Sequence, residues 1–373
     1  MAIVIAGAGL TGASAVEELR EQGYDGDLVL LGAEAHLPYH RPPLSKEVLL
    51  GTKKLIESQV HDQAWYDDRG VDLRTSTTVS AIDLARRVVA TDGGEVAYEG
   101  LLLATGSEPR RLPVPGATYL RTRDDSAALR EALENGARVT IVGAGWIGLE
   151  VAAAARAAGC EVTVFEPQSQ PLAGVLGERV GAVFADLHRE HGVDLRLETA
   201  YDGAPADLVL VAVGAVPRTD LARDAGLDVD DGVLVDATLR TSDPHVWAAG
   251  DVAAHDHPTL GRLRVEHWDN AIEQGRTAAR NLLGAGEAYA RTPYFFTDQY
   301  DLGMEYVGRV PREHLDRVVV RGDLAARRAV VFWHDGDGLV LGGMHLNEWD
   351  AADELREVVG QRVDPDQLSR RTT

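Results

Sequence analysis

Cysteine is nearly absent from this chain, with Cys160 alone among 373 residues. A single thiol excludes an internal disulfide, a CxxC redox pair and a cysteine-built metal site. Lysine is almost as scarce: of 37 basic residues only Lys46, Lys53 and Lys54 are lysine. Lys46 is then either a chance lysine in an arginine-biased chain or a position that wants a compact ammonium rather than a planar fork. Positive charge as a whole is short, because 59 acidic residues leave a net charge of −22. That balance argues against nonspecific binding to nucleic acid or to an anionic membrane. No apolar run approaches transmembrane length. The opening strand "AIVIAGAG" has no basic flank, long apolar core or cleavage site, so no signal peptide is expected and a reducing cytoplasm fits.

What the chain has in quantity is glycine at turns. The unit strand, Gly-rich turn and helix occurs twice, as "IVIAGAGLTGASAVEELREQG" and as "VTIVGAGWIGLEVAAAARAAG". Each copy follows an apolar, β-branched run, opens an Ala-rich helical pattern, and leads to a second strand ending near an acid, Glu34 or Glu166. This full context is what the dinucleotide fingerprint requires. Gly7 and Gly143 are expected to make the tight turn. Gly9 and Gly145 admit a pyrophosphate, and Gly12 and Gly148 let helix and strand pack closely. The helix N-terminus offers free N–H groups and partial positive charge to the phosphates. Glu166 is followed by Pro167 and Gln168, with no arginine to receive a 2′-phosphate, which favours NAD over NADP.

Three further strand ends carry small residues, "LLLATGSEPR", "LVLVAVGAVPR" and "VWAAGDVA". Each reads as a buried strand stopping where the backbone approaches something closely, with plain turn chemistry as the alternative. Beside two fingerprints they suggest a second, flavin-type cofactor, with Asp251 placed to accept a hydrogen bond from a ribityl hydroxyl. The order of elements predicts an α/β protein with two Rossmann-like dinucleotide-binding domains, the second inserted in the first. The FAD domain is expected at 1–112 and 235–294 and the NAD domain at 113–234. Short alternating runs such as "RAVVFWHD" and "GLVLGGMHL" then predict antiparallel strands and an α+β domain over 295–373.

Together with "LPYHRPPLSK", "ATGSEPR", "YLRT", "AAGDV", "RVEHWDNAIEQGRTAARNLLG" and "PYFFTDQYD", these motifs resemble the FAD-dependent NAD(P)H:ferredoxin, rubredoxin and putidaredoxin reductases, which are related to apoptosis-inducing factor. The resemblance runs from residue 2 to at least residue 349 and implies a glutathione-reductase-like fold. It also implies an enzyme that takes hydride from NADH onto FAD and passes single electrons to an iron–sulfur ferredoxin serving an oxygenase. Carried over by position, FAD would meet Gly7, Gly9, Gly12, Glu34, Arg41, Lys46, Val79, Arg121, Asp251, His267, Trp268 and Phe296. NADH would meet Gly143, Gly145, Ile147, Gly148, Glu150, Glu166, Gly214 and Glu266.

The chain departs from the family pattern in three places. "RLETAYDGAPADLVLVAVG" passes almost directly between two strands where relatives insert a longer hairpin, Phe296 stands where relatives usually carry tryptophan, and the C-terminal helix ends early. Lys46 and Glu150 are the expected catalytic pair, a buried cation needing an anionic partner. Without cysteine in the loop holding Arg41 and Pro42, electrons are expected to leave the flavin directly. An acidic ferredoxin is expected to dock on Arg309, Arg312, Arg317, Arg321, Arg327 and Arg328, the alternative being an ordinary solvated face. An NADH oxidase or quinone reductase on the same fold, or a slow NAD-sensing flavoprotein resembling apoptosis-inducing factor, remains the competing function. No metal site is expected of His188, His191, His255 and His257. Trp65 and Trp349 read as packing residues, and Asp124 and Asp125 as helix N-terminal acids.

Overall fold

Ala2–Ala6 is apolar and buried at every position, which demands cover on both faces and a place inside a parallel sheet. The computed structural model describes residues 2–370 and puts this strand at the centre of one. Leu28–Leu31 pairs with it on one side and the long strand Gly94–Leu103 on the other, both parallel. Val71–Arg74 and Val246–Ala248 extend the parallel set outwards. The first half of Gly94–Leu103 instead joins an antiparallel meander with Val88–Thr91 and Val79–Asp83. The helices Leu10–Glu21 and Trp268–Leu282 pack together through small residues: a Cβ on Gly275 would lie 2.5 Å from the carbonyl oxygen of Thr11. This is an α/β fold, with the first Gly-rich fingerprint at the carboxyl end of its central strand.

The chain divides into two compact units. Among the described residues the first comprises 2–40, 56–108 and 215–291, and the second 41–55, 109–214 and 292–370. The sequence places the return to the first unit near 235, whereas the chain returns at 215. The reason is a small sheet in which Gly232–Val235 pairs in parallel with Ala253–His257, so the segment from 215 onward belongs with the strands that follow it.

In the second unit four strands run parallel in the order Asp194–Leu197, Val162–Glu166, Val139–Val142 and Leu208–Val211. The outer edge of Leu208–Val211 is covered by Thr118, which donates its N–H to Val209 O at 2.8 Å and accepts from Val211 N at 2.9 Å. The shortened connection from 198 to 207 has no strand among the described residues. Its Tyr201 ring packs edge-on to Phe165, centroids 5.3 Å apart. The same unit holds a five-stranded antiparallel sheet in the order Tyr294–Gln299, Leu302–Gly308, Val340–Leu346, Arg328–His334 and Val318–Asp323. The helices Ala352–Val358 and Pro365–Arg370 help close its core around Phe332, Leu355, Val358 and Leu368. Among the described residues no helix is long and apolar enough to cross a membrane.

Candidate functional site

In the first unit the fingerprint turn is built by backbone proximity. Gly7 has φ +127°, and a Cβ there would sit 2.1 Å from the carbonyl oxygen of Ala104. A Cβ on Gly12 would lie 2.1 Å from Gly7 O, so strand and helix touch where only glycine fits. At Gly9, by contrast, the Cβ direction meets nothing within 4 Å. The helix that starts there has no side-chain cap and no acid in its first turn, leaving its N–H groups to an anion. Glu34 accepts a 2.5 Å bond from the Tyr39 hydroxyl. Asp251 accepts from Ser107 Oγ at 2.8 Å. Behind Asp251, the Gly250 N–H donates to Gln274 Oε1 at 2.8 Å, and Gln274 Nε2 lies 3.2 Å from His255 Nδ1. Burial pushes the His255 imidazole down to about 4.

Glu266 pairs with Arg264, and His267 is the extended residue preceding the helix Trp268–Leu282. Trp268 donates its indole N–H to His40 Nδ1 at 3.0 Å. Val79 opens the strand Val79–Asp83.

The second unit repeats the turn. Gly143 has φ +103°, and its Cβ would be 2.6 Å from Ala212 O; that of Gly148 would be 2.2 Å from Gly143 O. The Cβ direction at Gly145 has its nearest neighbour at 3.8 Å, and at Gly214 it is open. The helix Trp146–Ala157 again begins without a side-chain cap. Ile147 in its first turn is exposed. Glu166 accepts from Ala144 N at 2.8 Å and Gln168 N at 2.9 Å, so its carboxylate is clamped to the turn and aimed by two backbone donors. These open, donor-rich helix starts fit a pyrophosphate in each unit.

"LPYHRPPLSK" becomes a 3-10 turn at Pro42–Ser45, where proline fixes φ. Arg41 reaches back to donate to Arg121 O at 2.5 Å, and Ser126 Oγ holds Leu44 O at 2.8 Å. The turn delivers Lys46 to Glu150, with Nζ 2.7 Å from Oε1 and the two side chains 12% and 6% exposed. The other Glu150 oxygen accepts from Ser45 Oγ at 2.5 Å. Thr297 Oγ1 adds a third donor, 2.6 Å from Oε1. An ion pair this buried is tolerable because every carboxylate oxygen is bonded. Phe296 presents its ring to the same ammonium, with Nζ 5.8 Å from the centroid, a cation–π distance.

Ser45 and Thr297 escape a sequence reading. Each is an ordinary hydroxyl beside a more conspicuous neighbour, Lys46 or Phe296, and only the fold brings both onto one carboxylate. Ser107 is missed for the same reason. Of the six arginines expected at a docking edge, four have side chains engaged within their own unit. Arg321 pairs with Glu354, Arg327 with Glu190 and Arg328 with Glu348. Arg317 bonds the Asp335 carbonyl, Arg309 gives its backbone N–H to Leu341 O, and Arg312 opens a short 3-10 turn. Arg328 is 69% exposed whereas Arg327 is 19% exposed.

Residues 1–275 match the sequence profile of the family described as pyridine nucleotide-disulphide oxidoreductase, and residues 294–371 match that described as reductase C-terminal. The chain is 41% identical to the ferredoxin–NAD(+) reductase component of the anthranilate 1,2-dioxygenase system of Burkholderia cepacia, over 98% of this chain and 96% of that one. It is 38% identical to rhodocoxin reductase of Rhodococcus erythropolis, over 87% and 81% of the two chains. Among solved structures, putidaredoxin reductase in its covalent complex with putidaredoxin superimposes with a TM-score of 0.93. That match has 34% identity and covers 99% of this chain and 95% of that one.

Proposed function

The chain belongs to the pyridine nucleotide-disulphide oxidoreductase family, and from that premise we propose that it is an NADH:ferredoxin reductase. It would carry reducing equivalents from NADH through FAD to an iron–sulfur ferredoxin that serves an oxygenase, in the cytoplasm. The observation that carries this reading is a pair of uncapped fingerprint helices in a chain whose one thiol is buried, with Cys160 Sγ against Leu133 O at 3.4 Å. A dithiol relay is thereby excluded, so the outgoing electrons leave the flavin directly, to a docked metal centre, a quinone or oxygen. Relatives named as ferredoxin reductase components of dioxygenase systems support the first of these acceptors.

Bound FAD supplies the two-electron to one-electron conversion. The chain's own residues hold and tune it. Gly7, Gly9 and Gly12 bring backbone N–H groups to its pyrophosphate, Glu34 takes the ribose, and Asp251, steadied by Ser107, takes the ribityl chain. Arg41, Val79, Arg121, His267, Trp268 and Phe296 complete the FAD set. Lys46 places a positive charge by the flavin ring, held by Glu150 so that it neither wanders nor loses its counter-ion. Gly143, Gly145, Gly148, Ile147, Gly214 and Glu266 form the NADH set. Glu166, clamped by Ala144 and Gln168, receives a ribose 2′-OH and repels a 2′-phosphate.

Stopped-flow reduction by NADH, followed by reoxidation in separate syringes by a [2Fe–2S] ferredoxin, a quinone or oxygen, tests the assignment. Reoxidation by ferredoxin at least tenfold faster than by the other acceptors is the expected result. A preference for quinone or oxygen would overturn it.

A further inference from the structure

Behind Glu150 the second unit buries three polar side chains in a line. Thr297 and Gln299 are each 1% exposed and His188 is 0% exposed. Thr297 Oγ1 lies 2.6 Å from Glu150 Oε1, Gln299 Nε2 lies 3.2 Å from Thr297 Oγ1, and His188 Nε2 lies 2.9 Å from Gln299 Oε1. The directions follow from the carboxylate end. A carboxylate paired with lysine only accepts, so Thr297 must spend its one hydroxyl proton on Glu150. Towards Gln299 it can then only accept, which turns the amide nitrogen to Thr297 and the amide oxygen to His188. That oxygen requires a proton on Nε2. Desolvation holds the imidazole down to about 4, so at neutral pH Nδ1 is bare, and it has no hydrogen-bond partner.

We propose that His188, Gln299 and Thr297 are positioning residues for Glu150, a one-way run of donors that keeps a third hydrogen bond on its carboxylate and so sets how much of the Lys46 charge is left for the flavin ring. The inference rests on the reading of Lys46 and Glu150 given above. Three apolar side chains would fill the same space without the desolvation cost of three polar ones or a bare Nδ1. What they would not do is share the charge of Glu150. Donors in series polarise one another, and the whole run strengthens the bond that ends on the anion. Reversing the amide of Gln299 would pull the Thr297 proton away from Glu150 and leave Oε1 to Lys46 alone. The carboxylate would then neutralise the ammonium more fully, and the flavin would see a weaker cation.

The test uses the FAD-loaded enzyme in four single variants of the run, one double variant and Lys46→Met. Thr297→Val removes the hydroxyl at nearly constant volume. Gln299→Glu replaces the amide donor with an acceptor, Thr297→Ser keeps the hydroxyl, and His188→Leu removes the first donor. Thr297→Val and Gln299→Glu should each slow flavin reduction by NADH about tenfold, with the NADH Kd within about twofold, the loss being that of a bond to a charged group. The flavin midpoint potential should move negative in both, and Thr297→Ser should keep the parent rate and potential. In the parent protein the ¹⁵N shifts of His188 should show a proton on Nε2 only, and in Gln299→Glu a proton on both nitrogens. His188→Leu should slow reduction alone but add nothing to Thr297→Val, because both act on one bond. An Nδ1–H tautomer, parent potentials in Gln299→Glu, or additive losses in the double variant would each overturn the inference. If Lys46→Met itself left rate and potential unchanged, the reading of the Lys46 site would fail instead.

Discussion

Lys46 and Glu150 are separated by more than a hundred residues, yet their charged heads meet at 2.7 Å in a setting where neither is more than 12% exposed. Removing one partner leaves the other as an uncompensated buried charge. Glu150→Gln should therefore cost about 3 kcal/mol of unfolding free energy. The double variant Lys46→Met, Glu150→Leu should recover most of that loss while losing rapid flavin reduction. Urea unfolding of the three proteins side by side measures the first effect and stopped-flow the second. Equal destabilisation by the single and double variants would show that the pair is not electrostatically coupled.

On the proposed reading the first fingerprint holds FAD and the second NADH, so substitutions in the two should have separable effects. Alanine at Gly148 would place a Cβ 2.2 Å from Gly143 O, closing the contact between strand and helix that aims the second turn. Gly148→Ala should weaken NADH binding at least tenfold and leave bound FAD absorbance unchanged. Gly12→Ala, with its Cβ 2.1 Å from Gly7 O, should instead yield protein that releases FAD. Each overpacked contact costs roughly 1–3 kcal/mol. Absorbance spectra after gel filtration, with NADH titration of any flavin-bearing protein, decide between the outcomes.

Two buried histidines make stability depend on pH in a defined window. His188 and His255 both titrate at about 4 in the folded chain, with desolvation the leading cause. Unfolded, each titrates near 6.5, so between those values the unfolded chain binds more protons and stability rises with pH. Unfolding free energy should fall as pH drops from about 6.5 to about 4, by on the order of 3 kcal/mol for each histidine. His188→Leu should flatten the slope in part, because burial also lowers His61, His257 and His345. An unchanged slope in that variant would show that the imidazole is already charged in the fold.

Docking of an acidic ferredoxin should be probed at Arg328 rather than at Arg327. Arg327 is mostly buried against Glu190, whereas Arg328 extends into solvent beside Glu348. Arg328→Glu should lower kcat/KM for ferredoxin several-fold at low ionic strength, the difference shrinking as salt screens it. NADH-to-ferricyanide turnover should be unaffected. A loss shared equally by both acceptors would point away from docking.

Much of this was legible in the residues themselves, for reasons that differ from site to site. Gly7, Gly12, Gly143 and Gly148 could be read because only glycine satisfies the steric demand their spacing implies. The Lys46–Glu150 contact could be anticipated once the resemblance supplied a reason for a buried cation to need an anion. Ser45, Thr297, Gln299 and His188 could not. They lie on three segments of the second unit, the turn Pro42–Ser45, the helix Glu178–Glu190 and the strand Tyr294–Gln299, and a hydroxyl or an amide carries no pattern that announces a distant partner. The return at 215 was also hidden, because the strand Gly232–Val235 is apolar in any parallel sheet and its register with Ala253–His257 is a tertiary choice. The arginines from 309 to 328 read as one patch because they are close in sequence, but three of the six, Arg321, Arg327 and Arg328, pair with acids of their own unit.

The interleaving of the two units bears on how the protein is made. Each unit is assembled from three separate stretches, and the chain changes unit five times between residues 40 and 292. When a ribosome has released the first 108 residues, the central strand Ala2–Ala6 already has its neighbours, but the helix Leu10–Glu21 still waits for Trp268–Leu282 to cover it. The second unit is later still, since Glu150 acquires Thr297 only when most of the polypeptide has emerged. No contiguous piece of this gene would yield either unit alone, and the first unit cannot be finished before residue 291 nor the second before the stretch that begins at 292 has been synthesised.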